Sequence, residues 1–258
     1  LISWAIWFPL YGYAFGLTNL PMAPFQHGIG GLGPLIAAFL IAWIYNKQEG
    51  VKRLLKKCLQ ARPFIYLTIA LIGPFLLAFI AIIINYFVDE TPITLTGLLT
   101  CKEFPNFNLL TCFIYNLVFF GFGEEVGWRG FALPIIQVKY NALVSSLFLA
   151  VFWALWHWPL FFYRPGYTSM NIPGTFGWVF SLLTGSVLLT WLFNSSRASI
   201  LICAVFHSTI DIVFTADLAD KKIINYMGFL ITIWGILTII IFKPKNLATN
   251  ERERMTCP

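Results

Sequence analysis

The sequence predicts an all-α, polytopic membrane protein of about eight transmembrane helices around a polar intramembrane cavity. Three observations predict it. Hydrophobic residues make up 59% of the 258 positions and charged residues only 11%, whereas a soluble domain carries about a quarter charged residues. Apolar runs approaching the ~20 residues that cross a hydrocarbon core recur along the whole chain. The few ionisable groups outside the loops fall at regular spacings inside three of those runs.

Taken in order, the spans are expected near Ile2–Leu20, Gly31–Tyr45, Phe64–Phe87, Phe107–Gly123, Leu143–Phe162, Phe176–Phe193, Ala198–Thr215 and Ile223–Phe242. The first, beginning LISWAIWFPLYGYAFGL, has no basic leading region and reads as a span rather than a signal peptide. The second is short. No internal repeat, low-complexity tract or linker interrupts the series, which reads as one helical domain over 1–258 with a motif-bearing core at 107–217.

Net charge is +6, and the basic residues gather at segment ends. This distribution speaks for membrane orientation and anionic headgroups, not for nucleic acid. With the amino terminus inside, most Lys and Arg residues fall on the cytoplasmic side, and the carboxyl terminus is cytoplasmic as well. The stretch NKQEGVKRLLKKCLQARP reads either as a basic amphipathic helix on the inner leaflet or as a plain cytoplasmic connector. Five cysteines without a CxxC pair imply no disulfide framework and no zinc knuckle. Cys101 and Cys112 could pair across an external loop, with free thiols the simpler reading. His27 reads as an outer loop histidine, and the tryptophans and Tyr163 near span ends read as interface anchors.

The chemistry is concentrated elsewhere. FGFGEEVGWRGFALP places Glu124, Glu125 and Arg129 at membrane depth. Residues four apart share a helical face, so Glu125 stacks on Arg129 in the favourable order for an ion pair. Glu124 points about 100° away and has no partner in its own helix. Two of the three histidines lie in spans: His157 in FWALWHWPLFF and His207 in AVFHSTIDIVF, where Asp211 follows one turn later. Each of these groups alone has an ordinary structural reading, as a packing ion pair or an interhelical hydrogen bond. Together they are six costly groups from three helices, and one shared cavity satisfies all of them most cheaply.

These segments resemble the motifs of the CPBP (CAAX protease and bacteriocin-processing, or ABI) intramembrane endopeptidases, related to the type II CaaX prenyl endopeptidase. The family pattern is EExxxR, FxxxH and HxxxN or HxxxD on successive helices. EEVGWR matches the first in full, WALWH matches the second with Trp153 where phenylalanine is usual, and HSTID matches the third in its Asp form. The resemblance implies a catalytic set of Glu124, His157, His207 and Asp211. Glu124 with His157 would activate a water, His207 and Asp211 would stabilise the oxyanion, and Glu125–Arg129 would be a supporting ion pair. It implies a peptide or lipidated-protein substrate in the bilayer: prenylated tails, bacteriocin leaders or membrane-anchored regulators.

The cofactor question stays open at this point. Either no cofactor is required, or a divalent metal such as zinc sits on Glu124, His157, His207 and Asp211. Two other functions remain open: a proton-coupled transporter, and a non-catalytic bacteriocin-immunity or scaffold protein. The shared site also sets a condition on the fold. His157 lies about 14 residues into its span, so the fourth helix must run well past Glu125, toward Pro134, for the two to meet.

Overall fold

The computed structural model describes residues 1–100, 104–218, 220 and 222–255. Cys101, Lys102, Lys221 and Cys257 lie outside the described residues, as does any Cys101–Cys112 pairing. Among the described residues the regular elements are helices joined by loops. The helices are α1 (Ile2–Tyr11), α2 (Gln26–Gly31), α3 (Gly33–Cys58), α4 (Phe64–Asp89), α5 (Leu109–Lys139), α6 (Ala142–Trp156), α7 (Leu160–Tyr163), α8 (Ile172–Ser195), α9 (Ile200–Thr215) and α10 (Lys222–Asn246).

Among the described residues, six helical stretches are long and apolar enough to cross a membrane: Gln26–Cys58, Phe64–Asp89, Leu109–Lys139, Ala142–Tyr163, Ile172–Ser195 and Lys222–Asn246. Of the eight expected spans, the first and seventh fall short of that length. The first run yields a ten-residue helix and a 3-10 turn at Gly12–Phe15. The seventh is the sixteen-residue α9. The chain is nonetheless an integral, multi-pass membrane protein. Large apolar side chains such as Ile44, Ile72, Phe87, Phe152, Phe180, Phe229 and Ile241 stand exposed on the outer faces of the long helices. In water such a belt would be a severe liability; in a bilayer it is the solvent-matched surface.

Local sequence sets the helix starts. Asn108 accepts a hydrogen bond from the Thr111 N–H at 2.9 Å, Asn141 from Val144 at 2.9 Å, Asn171 from Gly174 at 2.8 Å, and Ser199 from Ile202 at 3.1 Å. Each satisfies an amide that the first turn cannot pair internally. The basic stretch after the second span is helical from residue 48 to Cys58, following a kink at Lys47 (φ 48°). Lys52, Arg53 and Lys56 point outward and Leu54 inward, giving the amphipathic face expected of it.

α5 is central to the bundle and lies close against the start of α3. A Cβ at Gly123 would stand 2.7 Å from the Gly31 carbonyl oxygen, and one at Gly127 2.7 Å from that of Pro34. Only glycine permits this approach. α9 packs against α4 and α5, and α8 against α6 and α10.

Two sequence expectations are corrected here. His27 is not a loop residue: it belongs to α2, stacks on Trp7 with centroids 5.6 Å apart, and its Nδ1 meets the Tyr163 hydroxyl at 2.7 Å. Tyr163 is thereby an interhelical partner, not an interface anchor. Trp7, Trp153, Trp156 and Trp191 are likewise buried, and the first three give their indole N–H to the His27 carbonyl, Glu124 and Ser3.

At one end of the bundle the chain closes a second polar cluster. Gln137 and Asn194 exchange side-chain amide hydrogen bonds of 3.1 and 2.9 Å. Their remaining amide hydrogens go to the carbonyls of Glu253 (2.6 Å) and Asn246 (2.8 Å). The segment after α10 is thus tied down by main-chain contacts, with Met255 N–H donating to the Pro134 carbonyl at 3.1 Å.

Candidate active site

Depth comes first. α5 runs 31 residues, from Leu109 to Lys139, and meets the condition set by the sequence. Glu124 lies 15 residues before the end of α5, and His157 lies 15 residues after the start of α6. At about 1.5 Å per residue both sit some 22 Å from the connecting turn, at one level in the bundle. His207 and Asp211 lie mid-way along α9.

The α5 backbone is not regular around the glutamates. Gly123–Gly127 is α-helical, but it is flanked by π-helical segments at Leu117–Phe122 and Trp128–Ala132. Wide turns of this kind re-aim side chains and recur at functional sites. Nothing in the local residue pattern announces them, since they are imposed by packing. His157 occupies a break as well. Pro159 carries no N–H, so α6 stops there, with His157 as its C-cap.

The six groups are brought together, though not all in the pairs expected. Glu125 and Arg129 are both fully buried and paired, Oε1 to Nη1, at 3.0 Å. The same Oε1 accepts from His207 Nδ1 at 2.7 Å. A carboxylate only accepts, so Nδ1 carries the hydrogen and His207 turns its Nε2 edge toward Glu124 and Asp211. Nε2 stands 3.9 Å from Glu124 Oε1 and 3.6 Å from Asp211 Oδ2. The expected His207–Asp211 pairing within one helix is therefore the longer contact, and Glu125 orients the ring. Sequence gave no sign of that bond, which joins residues 82 apart on different helices.

Glu124 is 3% exposed. Its Oε2 accepts from the Trp153 indole N–H at 2.6 Å. His157, one turn after Trp153, directs Nδ1 at the Trp153 carbonyl oxygen at 2.7 Å. That oxygen can only accept, so Nδ1–H donates and Nε2 is the nitrogen left for other contacts. The Trp153 ring touches both imidazoles, with centroids 5.7 Å from His157 and 5.5 Å from His207. The Arg129 guanidinium carbon lies 4.6 Å from its centroid. Arg129 also donates to Ser186 Oγ at 3.1 Å, which anchors it to α8.

Two further side chains, absent from the sequence-based set, close the His157 side. Tyr167 stacks on His157 at 6.2 Å with the planes 13° apart, and Trp178 meets the ring edge-on at 5.8 Å. Burial pushes the Tyr167 phenol above its ordinary pKa, so it stays a neutral hydroxyl. Asp211 is the group nearest the outside, its side chain 31% exposed. A buried carboxylate, two imidazoles and a half-exposed acid around one space are the components of water activation and oxyanion stabilisation.

The same residues were candidate metal ligands. Among the described residues no three His, Cys, Asp or Glu side chains converge as a group that could hold an ion. His157 and His207 each give Nδ1–H to a protein acceptor and keep Nε2, and Glu124 gives one oxygen to Trp153 and keeps the other. Metal-ligating histidines commonly donate their other ring N–H in the same way.

Fold and site together define a polytopic membrane protein with an acid–histidine cluster buried at mid-depth. Residues 106–213 match the family model described as Type II CAAX prenyl endopeptidase Rce1-like. The chain is also similar to CAAX prenyl protease 2 of Methanococcus maripaludis, 32% identical over 108 residues, which are 40% of this chain and 40% of that relative. The resemblance to the CPBP endopeptidases is thus shown through the core that carries all three motifs, and the match spans less than half the length of the curated relative.

Proposed function

We propose that the protein is an intramembrane endopeptidase that hydrolyses a peptide bond in a membrane-associated or lipidated substrate. The observation that carries this reading is the convergence of Glu124, His157 and His207 around the Trp153 ring, from three helices and at one depth.

In this reading Glu124 takes a proton from a water molecule while the water oxygen attacks the scissile carbonyl carbon. His157, with Nε2 toward that water, accepts a hydrogen bond from its second O–H and aligns it. As the C–O bond forms, the carbonyl π electrons move to oxygen, and an Nε2–H on His207 donates to that oxyanion. Asp211, 3.6 Å from Nε2, supplies the counter-charge that keeps His207 a donor. Collapse of the intermediate breaks the C–N bond, and Glu124 returns its proton to the leaving nitrogen. Glu125 and Arg129 hold His207 and the Trp153 ring in place. No step runs through a metal.

The name of the Methanococcus relative, CAAX prenyl protease 2, supports a prenylated carboxyl-terminal tail as the first substrate to try. The Lys and Arg distribution supports cytoplasmic termini. The test is a purified, nanodisc-embedded protein incubated with farnesylated and unmodified tail peptides, with products read by mass spectrometry. A discrete fragment from the farnesylated peptide that is absent from empty nanodiscs is the expected result. Failure to cleave lipidated and unlipidated peptides alike overturns the reading.

A further inference from the structure

The Trp153 indole N–H lies 2.6 Å from one oxygen of Glu124, and the residue is buried. A carboxylate has two chemically equal oxygens and a freely turning terminal torsion. Something must decide which oxygen meets the substrate water. Here Oε2 is taken by the indole, whereas Oε1 faces His207 Nε2 at 3.9 Å. The indole is itself held by two neighbours, and the main chain of the same residue by a third. The Arg129 guanidinium lies over the ring at 4.6 Å, His207 packs edge-on at 5.5 Å, and the Trp153 carbonyl is tied to His157 Nδ1. One residue thus sets the rotamer of the acid through its side chain and the tautomer of His157 through its main chain. A phenylalanine, the residue usual at this place in the motif, would fill much of the same space and donate nothing.

We propose that Trp153 is a positioning residue for Glu124, its N–H fixing Oε2 so that Oε1 alone is presented to the nucleophilic water. The proposal rests on the hydrolytic reading above. A charge-assisted hydrogen bond inside a low-dielectric site is among the stronger ones, and a misaimed base costs rate without costing substrate binding. In this chain the second motif is therefore more than an aromatic packing residue ahead of a histidine.

The test replaces the donor and keeps the shape. Trp153→Phe removes the N–H and part of the ring; Trp153→3-benzothienylalanine exchanges the N–H for sulfur and keeps the bicyclic outline. Both are expected to lower kcat about ten- to hundredfold with KM unchanged, and the benzothienyl protein should melt within a few degrees of wild type. An activity-independent readout accompanies them: the ultraviolet resonance Raman difference spectrum, wild type minus Trp153→Phe. It should show a strongly hydrogen-bonded indole N–H that weakens in Glu124→Ala. Wild-type kcat in the benzothienyl protein, or an indole N–H insensitive to Glu124→Ala, overturns the proposal. If the wild type cleaves nothing, the hydrolytic reading fails separately, and the Raman arm still decides whether Trp153 holds Glu124.

Discussion

Gln137 and Asn194 trade two hydrogen bonds of 3.1 and 2.9 Å and hand their remaining amide hydrogens to main-chain carbonyls. Glu124 and His207, almost as fully buried, and the partly exposed Asp211 face one another at 3.9 and 3.6 Å. The first cluster is neutral and closed, and each donor has an acceptor at full hydrogen-bonding distance. The second is ionisable, and its facing edges stand just beyond hydrogen-bonding distance of each other. Burial of polarity is common to both, so it cannot be what marks a site. The difference lies in whether the groups are spent on one another. Glu125 makes the distinction within a single motif: its Oε1 serves Arg129 and His207 together at 3.0 and 2.7 Å, which puts it on the structural side. Its neighbour Glu124 keeps one oxygen for the cavity.

The comparison can be broken at several points. The largest loss is expected from Glu125→Ala, which leaves Arg129 buried and unpaired and releases His207. Breaking a buried pair costs about 3–5 kcal/mol, so denaturant unfolding in detergent should show a collapse of stability together with activity. Asn194→Ala should cost about 1–3 kcal/mol by stranding the Gln137 amide, while the kcat of the folded fraction stays at the wild-type value. A drop in kcat there would erase the line between the clusters. Gly127→Ala forces a Cβ against Pro34, 2.5 Å from its side chain and 2.7 Å from its carbonyl oxygen. Overpacking of that kind costs about 1–3 kcal/mol, read as a lowered melting temperature. The smallest expected effect is none at all: a strong chelator should leave the cleavage rate unchanged, and inhibition reversed by added zinc would overturn the metal-free reading proposed above.

Much of the architecture was legible because a bilayer imposes a length and a polarity on every crossing helix. The runs that became α4, α8 and α10 read to within four residues at either end. The runs around α1 and α9 form shorter helices than their hydropathy suggests. Hydropathy sees composition, whereas the first run folds as a ten-residue helix with Pro9 inside it, followed by a 3-10 turn, and the seventh is a short helix enclosed by its neighbours. Within the site, Glu125–Arg129 was legible as a same-helix contact four residues apart. The Glu125–His207 bond was not, because helical periodicity carries no information about which faces of distant helices meet. The π-helical turns on either side of Glu124 were hidden for the same reason. His27 was misjudged as a loop residue, since its segment lacked the length of a recognisable helix. Trp153 stood in the sequence as a departure from a motif, and only the placement of its N–H gives that departure a chemical meaning.

One measurement bears on the central claim more directly than any other: peptide hydrolysis by Glu124→Gln, which keeps the size and the hydrogen-bond acceptor and removes the base. The account predicts a fall in kcat/KM of about 10²–10⁴-fold, with unfolding and expression indistinguishable from wild type. A variant that cleaves at an undiminished rate, or one that loses activity only because it no longer folds, would contradict it.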